Sequence, residues 1–152
     1  MANARIYLSS PTMHGEEQQY VKEAFDTNWV APLGKNVDEF EKSISEYVGI
    51  NSTTALNSGT AALHMAVKLA GVKRGDIVLC SDLTFAATVN PVSYEGGIQV
   101  FIDSEKETWN MDPEALEIGL KKYNAKAVIV ANLYGTPAKL NEIKELCQKY
   151  NV

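Results

Sequence analysis

Cysteine is scarce in this 152-residue chain: Cys80 and Cys147 are the only two, at no metal-ligand or redox spacing. A disulfide framework and a CxxC centre are thereby excluded, and both thiols are expected to be reduced and structural. Histidine is as rare. His14 and His64 lie far apart in sequence and form no ligand-spaced set, so no metal site is expected. The patterns G-x-S-x-G, G-x-G-x-x-G and G-x-x-x-x-G-K are all missing, which removes the nucleophile-elbow, dinucleotide-fold and P-loop readings. No apolar run is long enough to span a bilayer, and Met1–Tyr7 has no signal-peptide stretch. Positive charge is in deficit, with a formal net charge of -5, so neither nucleic acid nor a membrane is an expected partner. A cytoplasmic location is the expectation that results.

What is present is an ordinary globular composition, 45% hydrophobic and 22% charged, enough for one domain with a sizeable core. Helical and strand-like patterns alternate, which points to an α/β fold with a mainly parallel sheet flanked by helices. Periodicity predicts helices over Gly15–Thr27, with Tyr20, Val21, Ala24 and Phe25 on one face, and over Val37–Val48, with Val37, Phe40, Ile44, Tyr47 and Val48 inward. Asn28–Gly34 reads as the loop between them. Strands are expected at Thr53–Leu56, Ile77–Cys80, Gln99–Ile102 and Ala127–Ala131. Further helices are expected from the Asn57–Thr60 turn to Ala70, over Thr84–Tyr94 (shortened or kinked by Pro91), from Asp112-Pro113, and over Asn141–Tyr150.

Three polar loops then fall at the carboxyl ends of predicted strands, where open α/β sheets bind ligands. Asn57-Ser58-Gly59-Thr60 opens a helix, whose free N–H groups and positive dipole end suit a phosphate. Gly59 admits close backbone approach and the Thr60 hydroxyl adds a donor; the plainer alternative is that Ser58 or Thr60 merely caps the helix. In Asp82–Asn90, Phe85 stands among small residues, leaving its ring either free to stack on a flat cofactor or buried as ordinary core. Asn132-Leu133-Tyr134-Gly135-Thr136-Pro137 is the third loop. Asp103 either joins them or caps a turn. His64, one helical turn after Thr60, either neighbours the site or is a satisfied, partly buried histidine.

The stretches Trp29-Val-Ala-Pro-Leu-Gly34 with Phe40-Glu41, Asn57-Ser-Gly-Thr-Ala-Ala-Leu63, Asp82-Leu-Thr-Phe-Ala-Ala-Thr-Val-Asn90, Asn110-Met-Asp-Pro113 and Asn132-Leu-Tyr-Gly-Thr-Pro-Ala138 resemble, in this order, the DegT/DnrJ/EryC1/StrS family of pyridoxal-phosphate-dependent sugar aminotransferases. The opening, Leu8-Ser-Ser-Pro11 through Ala24–Trp29, is most similar to enzymes that aminate UDP-linked 4-keto-6-deoxy-N-acetylhexosamines. The resemblance implies the N-terminal part of the type I aminotransferase large domain, residues 1–152 forming one partial domain. It implies pyridoxal 5'-phosphate as cofactor, held by Gly59, Thr60 and Ala61 with Phe85 on the pyridine ring. Asn28 and Trp29 would border a nucleotide-sugar pocket, glutamate would be the amino donor, and the full-length protein would be a homodimer. The family's Schiff-base lysine and its ring-nitrogen acid would lie beyond Val152. These 152 residues are therefore expected to contain no catalytic residue and to be inactive alone. A deoxygenating dehydratase of the same family, and a non-catalytic fragment that binds phosphate or a partner, are the alternatives.

Overall fold

In the computed structural model, residues 5–7 and 9–152 are described; Leu8, in the first stretch of the resemblance, lies outside them, as do residues 1–4. The chain divides into two units, one ending at Ala55 and one spanning Leu56–Val152.

In the first unit, α1 (Glu17–Asp26) and α2 (Lys35–Val48) are joined by the expected loop. The backbone amides of His14 and Gly15 donate to the Glu17 carboxylate ahead of α1, at 2.6 and 2.8 Å. Gly49, at φ 70°, ends α2 in the left-handed conformation that an L side chain resists. The apolar positions fall on faces as expected, but no residue of α1 or α2 is buried. Phe40, Ile44, Tyr47 and Val48 are exposed, against the inward placement expected of them, because this unit has no strand among its described residues to receive that face; Tyr20, Val21 and Phe25 of α1 are exposed as well. The strand expected at Thr53–Leu56 is also absent. Its polar groups turn to α2 instead of a ladder: Thr53 Oγ1 donates to the Glu41 carbonyl, and the Ala55 amide donates to Glu41 Oε1. With those bonds made locally, the segment recruits no neighbouring strand.

The second unit contains α3 (Gly59–Leu69), β1 (Ile77–Ser81), a 3-10 turn (Ala86–Thr88), α4 (Asn90–Tyr94), β2 (Ile98–Ile102), α5 (Pro113–Lys122), β3 (Ala125–Ile129), a second 3-10 turn (Leu133–Gly135) and α6 (Leu140–Lys149). All three strands are parallel, in the order β2-β1-β3. Ile77 opposes Ile98 on one side, while Val78 opposes Ala127 on the other.

As the middle strand, β1 is buried on both faces, which is why Ile77–Cys80 is a continuous apolar run rather than an alternating one. Val78 and Cys80 point into a cluster with Val67, Val72, Val89 and Val92, roofed by α3 and α4. Leu79 points the other way, into Ile102, Met111, Leu116, Leu120 and Ile143 under α5 and α6. Gly119 lets α5 sit close: a Cβ there would lie 2.9 Å from Ile102 Cδ1. The Thr84–Tyr94 helix resolves into two pieces, with Pro91 in the first turn of α4, where its missing N–H costs nothing.

Candidate functional site

The loops after β1, β2 and β3 all leave the carboxyl edge of the sheet and are tied to one another. The Ala131 amide donates to Ser81 Oγ at 3.1 Å, joining the exits of β3 and β1. Ser104 Oγ donates to Asp82 Oδ1 at 2.9 Å, joining the exits of β2 and β1. The β1 loop is further closed by the Leu83 amide on Asp82 Oδ1 and by a hydroxyl contact between Thr84 and Thr88. None of these bonds involves the Phe85 ring, which is 79% exposed. The core alternative for Phe85 is thus not realised in this chain.

Beside this loop, α3 packs on the Ala86–Thr88 turn and on α4. Ser58 caps α3, its Oγ accepting from the Ala61 amide at 3.2 Å while its carbonyl takes the Ala62 amide. The first four amides of a helix have no intrahelical partner. Ala62 makes the first helical bond and Ser58 Oγ serves Ala61, which leaves the amides of Gly59 and Thr60 in the first turn for a ligand or solvent. The cap and the anion site are therefore compatible: one hydroxyl orders the turn and the remaining amides point outward with the helix dipole. A Cβ placed on Gly59 would meet no atom within 4 Å, so the approach to these amides is open.

His64, the next turn along α3, is spoken for. Its Nε2 lies 2.6 Å from Glu95 Oε1 and its ring stands edge-on to Tyr94, with centroids 5.3 Å apart. Lys68 adds a second bond to the same carboxylate at 3.1 Å. His64 first, then Lys68, holds the Glu95 carboxyl below its ordinary value. These residues pin α3 to α4 and leave the helix N-terminus clear. Asp103 caps a turn, its Oδ1 accepting from the Ser104 amide at 2.8 Å. Burial pushes the Cys80 thiol up to about 12, which makes it inert.

One residue carries the third loop, and only its place in a matching stretch hinted at it. Asn110 is 2% exposed and reaches from the β2 loop to the β3 loop. Its Nδ2 donates to the Thr136 carbonyl at 2.9 Å, and its Oδ1 accepts from the Leu133 amide at 2.8 Å. Asn132 Oδ1 takes the Ala138 amide at 3.0 Å. Asn110 stands next to a second network. Glu105 accepts from the Thr108 hydroxyl and from the amides of Glu107 and Thr108, which bring its carboxyl down to about 2. A buried asparagine is tolerated because its amide oxygen and nitrogen are both satisfied.

Asn28 and Trp29 belong to the first unit. Asn28 takes a left-handed φ of 53°, turning the chain out of α1. Trp29 Nε1 donates to the Leu33 carbonyl at 2.5 Å, closing the loop on itself. Trp29, with Ala24, Leu33, Lys35 and Val37, lines a cavity of about 570 Å³; Asn28 does not line it.

Among the described residues, no three metal-ligating side chains cluster and no helix is long and apolar enough to cross a membrane. The DegT/DnrJ/EryC1/StrS aminotransferase family model matches residues 11–152. The chain is 53% identical over 97% of its length to EpsN of Bacillus subtilis, named as a pyridoxal phosphate-dependent aminotransferase, and covers 39% of that protein. It is 41% identical over 78% of its length to the UDP-4-amino-4,6-dideoxy-N-acetyl-beta-L-altrosamine transaminase of Campylobacter jejuni, of which it covers 32%. In structure it is similar to Spr1654 of Streptococcus pneumoniae, named as a sugar aminotransferase and solved in a PLP form. There the TM-score is 0.84 at 26% identity, covering 96% of this chain and 37% of that one. The chain thus spans about two fifths, or less, of the length of these relatives.

Proposed function

This chain belongs to the DegT/DnrJ/EryC1/StrS aminotransferase family, and from that premise we propose that it is the first part of a longer enzyme that aminates a nucleotide-linked 4-keto-6-deoxy sugar. The observation that carries the cofactor reading is the start of α3, where Ser58 satisfies Ala61 and leaves two outward amides beside a loop with an exposed aromatic ring. That donor set fits pyridoxal 5'-phosphate. The amides of Gly59 and Thr60 and the Thr60 hydroxyl would hold the phosphate, with Ala61 as the turn's anchor to Ser58. Phe85 would cover one face of the pyridine ring. When bound, the cofactor supplies an electron sink for moving an amino group between a donor, glutamate in this reading, and a sugar ketone.

What the chain's own residues contribute is placement. The Ser58 cap fixes the first turn of α3, so its dipole and free amides meet the phosphate without further reorganisation. The Ser81–Ala131 and Asp82–Ser104 bonds hold the loop exits in register, and the Glu95 clamp on His64 and Lys68 holds α3 against α4. The cavity beside Trp29 supports a role for the Asn28–Gly34 loop in nucleotide-sugar binding. The UDP-linked substrate class is supported by the Campylobacter relative.

The test uses the natural-length protein supplied with pyridoxal phosphate, glutamate and a UDP-4-keto-6-deoxy-N-acetylhexosamine. The expected products are the 4-amino sugar, by mass spectrometry, and an equal amount of 2-oxoglutarate. Thr60→Val should weaken cofactor retention by about 1.5–3 kcal/mol, the worth of a hydrogen bond to a charged group. Phe85→Ala should weaken it by about 0.5–1.5 kcal/mol beyond lost burial. Cofactor affinity unchanged in both variants would remove α3 from the site. Loss of a sugar hydroxyl without amino transfer would assign the dehydratase reaction instead.

A further inference from the structure

Tyr134 combines two features that the proposed cofactor site does not use. Its backbone is left-handed, at φ 51° and ψ 29°, a conformation that a bulky L residue rarely adopts. Its ring is nonetheless 79% exposed, so core packing does not compensate the strain. The compensation lies in the backbone on either side. Asn110 accepts from the residue before Tyr134 and donates to the carbonyl two residues after it, and Asn132 closes the loop onto Ala138. The fold commits a buried polar side chain to holding a strained loop that presents the Tyr134 ring to solvent. Strain held by its surroundings in this way is a mark of function.

The loop lies at the carboxyl end of β3, next to the exit of β1 that presents Phe85, with the Ser81–Ala131 bond between the two exits. Trp109 is also exposed and left-handed, but it stands seven residues beyond β2, inside the loop that the Ser104–Met111 bridge closes. Two exposed aromatic rings on neighbouring loops differ in chemistry. Phe85 has no polar atom and suits a flat aromatic face. Tyr134 offers an apolar body with a phenolic hydroxyl that donates and accepts, which suits a polyhydroxylated ring.

We infer that Tyr134 contacts the sugar ring of the nucleotide-linked substrate and that Asn110 is the positioning residue that presents it. The inference rests on the nucleotide-sugar reading above, and the experiment separates the two. The natural-length holoenzyme is titrated with UDP-N-acetylglucosamine, as a stable probe, and with UDP alone. Tyr134→Asn and Tyr134→Gly keep the left-handed backbone comfortable, so the melting temperature should hold or rise and the cofactor's absorbance should remain. Both should weaken UDP-N-acetylglucosamine by about ten-fold or more while leaving UDP unchanged. Tyr134→Phe should fall between, keeping the ring and losing the hydroxyl. Asn110→Ala should weaken the sugar probe in the native background and add nothing to Tyr134→Asn, since only the tyrosine transmits its effect. Equal sugar affinity in the tyrosine variants, or an equal loss for UDP alone, overturns the contact. A further loss when Asn110→Ala is added to Tyr134→Asn overturns the positioning role. Failure of the native protein to bind either probe overturns the nucleotide-sugar reading, and this inference with it.

Discussion

α2 and α6 are written in much the same way. Phe40, Ile44 and Tyr47 stand three or four residues apart along α2, and Ile143, Leu146, Cys147 and Tyr150 do so along and just past α6. In α6 that stripe meets the sheet: Ile143 is buried, and Leu146, Cys147 and Tyr150 pack against the cluster around Leu79. In α2 no residue of the stripe is buried, and Tyr47 is 90% exposed. Amphipathic periodicity therefore specifies which side of a helix is ready to be buried, not whether a surface is there to bury it. The second unit supplies that surface through β1, whose two faces seat α3 and α4 on one side and α5 and α6 on the other. The unit ending at Ala55 contains no strand among its described residues.

The comparison can be broken most directly by truncating one side chain in each unit. Leu79→Ala empties a site that is fully buried between β1, α5 and α6, and should cost about 2–5 kcal/mol of unfolding free energy. Phe40→Ala removes a larger side chain, but one 56% exposed on α2, and should change stability by no more than about 0.5 kcal/mol. Urea titrations of this chain measure both. A loss at Phe40 matching that at Leu79 would mean that α2 buries its stripe in solution, and the contrast between the units would collapse.

The same contrast explains what could be read from the residues. The α/β class, the parallel sheet and six helices were legible from their alternating patterns, and the continuous run Ile77–Cys80 is a direct consequence of burial. Asp112-Pro113 marked the start of α5 correctly, since Asp112 accepts from the Glu114 amide and Pro113 takes the first turn. The Thr53–Leu56 strand was misread because a short run of threonine and apolar residues does not reveal that Glu41 will take its hydroxyl and amide. In the candidate site, the helix start at Ser58 was legible as turn chemistry, whereas the residues left Phe85 open between core and exposure and only the fold shows the ring exposed. Which hydroxyl capped the helix was not legible, as Ser58 and Thr60 are equally suited by type. The Asn110 clamp was invisible for a different reason: its partners lie 23 and 26 residues away, and no local pattern encodes such a bond.

A smaller effect sharpens the comparison at the helix starts. In the second unit Ser58 and Asp112 each accept an amide of the turn they open, whereas Glu16, ahead of α1, makes no side-chain cap. Ser58→Ala and Asp112→Ala should each cost about 1 kcal/mol, and Glu16→Ala far less. Thermal melts of the three variants give the ranking. An equal loss at Glu16 would show that α1 is capped as firmly as α3 and α5.

The smallest expected effect concerns charge, and it too divides the units. Glu117 on α5 gathers Lys149 at 2.6 Å, Lys121 at 3.1 Å and the Tyr150 hydroxyl at 3.1 Å, so its carboxylate ties α5 to the end of α6. Lys149 first, then Lys121 and Tyr150, brings its carboxyl from the ordinary 4.5 down to about 2. The folded chain thus holds the charged form more strongly than the unfolded chain does. That preference is fully present above about pH 4.5 and is lost as the pH falls through about 2, where the group is protonated in both states. Glu117→Gln should therefore lower the melting temperature slightly near neutral pH, with the gap closing over that acid range. Asp26, paired with Lys22 inside α1 alone, is the control, because it joins no second helix. Its Asp26→Asn variant should show a smaller gap than Glu117→Gln at neutral pH, since a lone exposed pair contributes little. A Glu117 gap that stayed constant down to pH 2 would mean that the variant acts through packing and not through the charge.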